Sequence, residues 1–348
     1  MTKSKKFPFP LKIVCIALAS LIALIGLVLL GARAYFRLSV SDYYQASEKG
    51  FVIPALGDGF VPQGLDYDER SNQFFVTGYM DDGRVSPIYL VKNDDDSSYK
   101  TVRLAEADGT PFTGHAGGLT VHGDYVYVAG GGDCCLYVYS YAEMLSAEDG
   151  ASVSCLGEFS LGTKEDGIRV SFTASDEAYL YAGEFYRAEN YETADSHKLT
   201  TKAGDYQQAL ALTYAFSDGE DAIFGLSKVP TAAYSLPDQV QGMCFTEDQI
   251  YLSTSYGVAF SNLYEYNRTK LTLQKELELL GTTLPLYFLD SAAQTACFRI
   301  APMSEEIEFV DGKLYVMCES ASNKYIFGKF TSAKWCYATD VEKMKSDD

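Results

Sequence analysis

The sequence predicts an all-β protein built from repeated four-stranded units behind one N-terminal membrane-spanning helix. Three observations carry that expectation: five internal repeats, strand-type composition across the repeats, and an uncharged run confined to the first 37 residues.

The repeats come first because they fix the architecture. Gln63–Asp68, Gly117–Val121, Val170–Ala174, Gln241–Phe245 and Glu306–Val310 are similar short stretches. Each leads through a brief polar turn into a second run rich in Tyr, Val, Leu and Ile: Gln73–Tyr79, Tyr125–Gly130, Ala178–Gly183, Gln249–Ser253 and Lys313–Met317. Alternating β-branched and aromatic residues bounded by turn residues read as paired strands. A unit of this size cannot bury its own face and must stack on its neighbours.

Two further strands follow each pair. The first unit continues with Pro87–Val91 and Tyr99–Leu104, the second with Leu136–Tyr139 and Cys155–Phe159, and the third with Ala209–Tyr214 and Ala222–Leu226. The fourth continues with Asn262–Tyr266 and Thr272–Lys275, and the fifth with Lys324–Gly328 and Trp335–Thr339. Four-stranded units repeated on this scale are the blades of a β-propeller around a central channel. Direct counting gives five blades. Six is the alternative, and it requires strands from Phe51–Val61. Arg187–Tyr206 is read as a long insertion, Tyr141–Glu148 as a short helix, and Gly281–Arg299 as a long connection.

The N-terminal segment is a different material. Ile13 to Ala32 is a run of 20 uncharged residues, preceded by Lys3, Lys5, Lys6 and Lys12 and followed by Arg33 and Arg37. At about 1.5 Å per residue such a run matches the roughly 30 Å hydrocarbon core of a bilayer. The basic excess on its N-terminal side favours a cytoplasmic N-terminus and an extracytoplasmic propeller. The expected division is residues 1–37 as tail and single-pass cell-membrane anchor, 38–50 as a stalk, and 51–348 as the propeller. The bilayer is the expected partner through Ile13–Leu30. Ala32-Arg33-Ala34 also has the small-x-small shape of a cleavage site, so a removed signal peptide is the alternative.

Charge excludes one class of partner. Six of the 28 Lys/Arg and none of the 47 Asp/Glu lie in the first 37 residues, so the remainder carries 22 basic against 47 acidic residues, a net of −25. Such a surface repels nucleic acid. Seven cysteines lie outside the apolar run, an odd number, with no zinc spacing. They are expected as small buried hydrophobes, with one possible bridge between Cys134 or Cys135 and Cys155.

The units resemble the β-propellers of the YVTN-type, strictosidine-synthase-like and gluconolactonase-like groups. The resemblance covers residues 60 to 340 and rests on the repeated polar-Gly-aliphatic stretch followed by D/G-x-hydrophobic-Tyr-hydrophobic. It implies the propeller fold. Calcium-dependent lactonases of this architecture carry acidic and amide ligands at the inner ends of several blades, where this sequence holds amides, one His, one Ser and several Glu.

Residues at the same point of each repeat form a ring at one mouth of the channel. Those leading into the inner strands are Gln63, His115, Ser171, Gln241 and Glu305, and those leaving the second strands are Tyr79, Glu184, Tyr256 and Glu319. Polar groups so placed must be paired or hydrated. The ring supports three readings: a closed hydrogen-bond network, a calcium-type cation site with Glu184, Glu305 and Glu319 as carboxylate ligands, or a ligand or hydrolytic site with His115 as candidate base. The leading expectation is a membrane-anchored propeller binding a small molecule, glycan or protein at the mouth. Metal-assisted ester or lactone hydrolysis and a structural role in the cell envelope are the alternatives. Tyr79, Tyr186 and Tyr256 are expected as exposed mouth aromatics, His122 as a turn residue and His197 as an exposed residue of the insertion.

Overall fold

The computed structural model describes residues 9–93, 95–271, 273–331 and 334–345; Lys3, Lys5 and Lys6 lie outside them, as does Thr272 of the expected fourth strand of the fourth unit. The inner-to-outer strands form five blades. Blade 1 is Phe60–Asp68, Gln73–Met80, Pro87–Lys92 and Asp95–Ala105, with Ser152–Ser154 added in parallel. Blade 2 is Gly118–His122, Tyr125–Ala129, Cys135–Ser140 and Gly157–Ser160. Blade 3 is Val170–Ser175, Tyr179–Glu184, Ala209–Ala215 and Ala232–Leu236. Blade 4 is Val240–Phe245, Gln249–Thr254, Ser261–Asn267 and Gln294–Ile300. Blade 5 is Ser304–Val310, Lys313–Cys318, Trp335–Thr339 and Ser47–Val52.

The core confirms ring closure. Buried apolar side chains fall into five clusters, one between each pair of neighbouring blades. Phe51 and Met317 of blade 5 meet Phe60 and Leu65 of blade 1, which shuts the ring. Strand alternation sends side chains to both faces of each blade, so both faces are apolar and both are buried.

Several expectations about outer strands are corrected. The segment 38–50, expected as a stalk, is folded. Ser41–Gln45 is a short helix with Tyr43 1% exposed, and Ser47–Val52 pairs with Trp335–Thr339 as the outer strand of blade 5. An N-terminal strand therefore completes the C-terminal blade, and Lys324–Gly328, expected as a strand, runs as turns. Ala222–Leu226 makes only isolated bridges, and Ala232–Leu236 takes the fourth place in blade 3. Gly281–Arg299 is mostly strand. Leu273–Leu279 and Thr282–Phe288 form a hairpin that extends blade 3 in parallel, while Gln294–Ile300 closes blade 4. Partner choice by an edge strand is a tertiary decision that periodicity does not encode. The possible bridge to Cys155 is not formed: all eight cysteines are free thiols, and the register sets Cys135 opposite Ser160.

Phe9–Leu38 is one helix, and its span Leu11–Leu38 is long and apolar enough to cross a membrane, with its most apolar stretch unburied.

Candidate functional site

The polar positions at the starts of the inner strands converge for a reason that alternation alone does not supply. Blade 1 pairs Pro62 with Gly78 and Gly64 with Thr77, which leaves Gln63 without a cross-strand partner. The same break falls between Val170 and Phe172, between Val240 and Gly242, and between Ser304 and Ile307. The unpaired residues are thus Gln63, Ser171, Gln241, and the pair Glu305–Glu306. A β-bulge bends its strand and re-aims the extra side chain. Four bulges at one height turn Gln63, Ser171, Gln241 and Glu305 off the blade faces and into the channel mouth. Blade 2 supplies His115 from the loop ahead of its inner strand.

The result is a cavity of about 460 Å³. Eight of the nine expected positions line it: Gln63, Tyr79, His115, Ser171, Gln241, Tyr256, Glu305 and Glu319. Glu184 does not. Its carboxylate is buried in blade 3, where it accepts hydrogen bonds from His197 Nδ1 (2.9 Å) and the Leu210 amide (3.1 Å). The carboxylate trio Glu184, Glu305 and Glu319 is therefore not assembled, and among the described residues no group of three acid, His or Cys side chains is arranged to hold a metal ion. His197, expected as exposed, is fully buried. Its bond to Glu184 pins the insertion onto blade 3, so that Tyr191, Glu192 and Thr193 become a cavity wall. Tyr186 turns into the core, and its neighbour Phe185 lines the cavity instead. His122 ends the inner strand of blade 2 and stacks on Phe216 at 3.4 Å between ring centroids.

One side of the cavity is a continuous hydrogen-bond chain. Gln63 Nε2 donates to the Pro62 carbonyl (2.7 Å) and to Glu319 Oε2 (3.0 Å). That orientation leaves Gln63 Oε1 to accept from His115 Nε2 at 2.6 Å, so the His115 proton sits on Nε2 and Nδ1 is an acceptor. Tyr325 also donates to Glu319 Oε2 (2.9 Å) and contacts the Tyr79 hydroxyl at 3.5 Å. Lys324 Nζ donates to the Tyr79 hydroxyl, and Tyr79 stacks on His115 with centroids 4.3 Å apart. Across the cavity Gln241 Nε2 donates to Glu305 Oε1 (3.3 Å), and Arg187 caps the Tyr256 ring at 3.7 Å.

Electrostatics divide the two carboxyls. Burial, then the Glu319 and Glu306 charges, push Glu305 well above the carboxylate range. Burial raises Glu319 to about 7, opposed by its bonds from Tyr325 and Gln63 and by the Lys324 ammonium. Burial and Lys324 lower His115 below its ordinary value. His115 is therefore neutral at physiological pH, and within the cavity the carboxyl raised toward neutrality is Glu319. The lowered value makes His115 a weaker base than a free imidazole.

Glu306 closes the channel beneath the cavity. Its carboxylate accepts from the Leu65, Leu119 and Thr173 amides, on the inner strands of three other blades, at 2.7, 3.2 and 2.9 Å. It meets the unpaired edges that inner strands present to the axis. Glycine is required beside it: a Cβ on Gly118 would lie 2.5 Å from Glu306 Oε1, and one on Gly242 2.6 Å from Glu306 Cα. The sequence signal was present in Glu305-Glu306-Ile307-Glu308, an acidic start to an inner strand, where three of its four counterparts carry Gly followed by Leu or Met.

These features define the class of protein: a five-bladed β-propeller whose channel is plugged on the axis and open as a polar, aromatic-walled cavity at one mouth. No protein-family profile matches the chain, and no curated protein is similar to it. Among solved structures it is similar to glutaminyl cyclase of Myxococcus xanthus, with 11% identity, 84% of this chain and 93% of that one covered, and a TM-score of 0.40. It is also similar to hydrazine synthase of Kuenenia stuttgartiensis, at 10% identity, 76% and 95% coverage and TM-score 0.41. For the PQQ-bound aldose sugar dehydrogenase of Streptomyces coelicolor the values are 14%, 80% and 92%, and 0.38. These likenesses are remote; the fold assignment rests on the blade geometry.

Proposed function

We propose that the protein is a membrane-anchored, extracytoplasmic propeller that binds a small polar molecule in the mouth cavity. The observation that carries this reading is the convergence of bulged polar residues from four blades on one cavity that also holds two electrostatically coupled carboxyls. A cavity of about 460 Å³ lies in the range of small-molecule sites. Its floor offers acceptors at Glu305 and Glu319, its walls offer Tyr79, Phe185, Tyr191 and Tyr256, and its rim carries Arg169 and Lys324. That set favours a ligand with hydroxyl or amine donors directed at the floor and a flat or apolar part against the rings. The helix Phe9–Leu38 and the charge bias around it support the anchor, with the propeller outside.

A second reading is acid–base chemistry on the bound molecule. The Glu319 carboxyl, raised to about 7 and fixed by two donors, is poised to exchange a proton near neutral pH. Metal-assisted hydrolysis lacks an assembled ligand set among the described residues.

A thermal-shift screen of small hydroxylated and amine-bearing compounds tests the binding reading. Compounds that stabilise the wild type should lose that effect with Gln241→Leu and weaken with Glu319→Gln. Stabilisation that both variants retain in full would place the binding elsewhere.

A further inference from the structure

The loop joining the second and third strands of blade 5 is unlike the rest of this acidic domain. It reads Lys324-Tyr325-Ile326-Phe327-Gly328-Lys329-Phe330. Ile326 and Phe327 are each 74% exposed, the most exposed large apolar side chains described in the molecule. Second strands end and third strands begin at the mouth, so this loop stands on the same face as the cavity, and its Lys324 and Tyr325 line the cavity wall.

The N-terminal helix leaves the propeller from that same face. Its last turns pack on Phe260, with the Tyr35 and Phe36 rings 5.9 and 5.6 Å away. They also approach the 3₁₀ turn Gly328–Phe330. Phe260 directly precedes Ser261, the mouth end of the third strand of blade 4. The uncharged run ends at Ala32. Tyr35 and Phe36 lie three and four residues further on, about 5–6 Å along a helix axis. The headgroup layer on each side of a bilayer is about 5–8 Å deep. The contact between helix and propeller therefore falls within that layer when the helix spans the hydrocarbon.

Charge agrees with this placement. Arg37 lies on the helix, Arg299 over Phe260 and Lys329 in the turn the helix approaches, while Lys324 and Lys334 belong to the same loop, on a domain of net −25. Among the described residues none of the five forms an ion pair with a carboxylate. Arg37, Arg299, Lys324 and Lys334 instead lie over the rings of Tyr44, Phe260, Tyr79 and Trp335. Cations above aromatic rings, next to exposed apolar side chains, suit a surface of anionic headgroups over acyl chains.

We propose that Lys324–Phe330 is a bilayer-contacting loop that seats the mouth face of the propeller on the anionic headgroups of the membrane its helix crosses. The inference rests on the anchor reading and adds a second point of attachment. Ile326 and Phe327 enter the interface, the lysines and arginines meet phosphate, and the cavity opens at the lipid surface rather than toward bulk water.

The chain contains one tryptophan, Trp335, which makes the test direct. Full-length protein carrying Trp335→Phe with Phe327→Trp is reconstituted in phosphatidylcholine–phosphatidylglycerol vesicles whose acyl chains are brominated near the headgroup. Tyr67→Trp in the same background reports on the opposite face. The tryptophan at 327 should lose more than about half its emission, as expected of an interfacial side chain, and that at 67 essentially none. Lys329→Glu with Lys334→Glu, or high salt, should reduce the quenching at 327. An unquenched position 327 in a chain that resists alkaline extraction would overturn the docking proposal and leave the anchor standing. Release of the chain by alkali would overturn the anchor, and the docking proposal with it.

Discussion

Glu319→Gln separates the charge on the cavity floor from its shape. Both donors to this carboxyl, Gln63 Nε2 and the Tyr325 hydroxyl, reach the same oxygen, Oε2. A glutamine places its carbonyl oxygen there and loses neither bond. Only the charge is removed. The folded protein raises Glu319 from 4.5 to about 7, so between those values the native state holds a proton that the unfolded chain has released. The stabilising effect is complete below about 4.5 and is lost as pH rises through about 7. A displacement of this size corresponds to about 3 kcal/mol, and solvent in the open cavity reduces it to about 2. Urea unfolding of the detergent-solubilised chain at pH 5 and pH 8 measures it. The wild type should lose about 2 kcal/mol more than Glu319→Gln across that interval, and the variant should be the more stable of the two at pH 8. Equal pH dependence in the two proteins would refute the assignment of a raised carboxyl to this position.

Other substitutions probe the scaffold that builds the cavity. Glu306→Ala leaves the Leu65, Leu119 and Thr173 amides unpaired at the axis and should cost on the order of 4 kcal/mol, read by chemical denaturation. Glu306→Gln should also destabilise, by about 1–3 kcal/mol, because its NH₂ faces backbone donors. His197→Ala frees the insertion from Glu184, so amide exchange across Tyr191–Thr201 should accelerate while that of the blade strands does not. Ser171→Trp, at a half-buried wall position, should obstruct the cavity with little change in melting temperature.

How much of this was legible in the sequence depends on range. The inner and second strands were, because each pair is local and its alternation sets the faces that neighbouring blades bury. The outer strands of blades 3, 4 and 5 were not. Ser47–Val52, Ala232–Leu236 and Gln294–Ile300 take their places through partners far along the chain or late in a long connection, and nothing in their own pattern names those partners. The site followed the same rule. Equivalent positions of a repeat share a height, which gathered Gln63, Ser171, Gln241 and Glu305. What turned them inward was the bulge, a register property invisible without the pairing. Glu184 failed because its repeat position is filled from the outside: the insertion brings His197 to it, and a buried carboxylate takes the nearest donors. Lys324 and Tyr325 were missed because that stretch has strand-like composition but serves as the cavity wall.

The central claim is that the bulged ring builds a ligand site at the channel mouth. Isothermal titration of compounds that stabilise the wild type, repeated with Ser171→Trp, tests it most directly. Binding should be abolished in a variant whose melting temperature is preserved. Unchanged affinity in the obstructed cavity would contradict it.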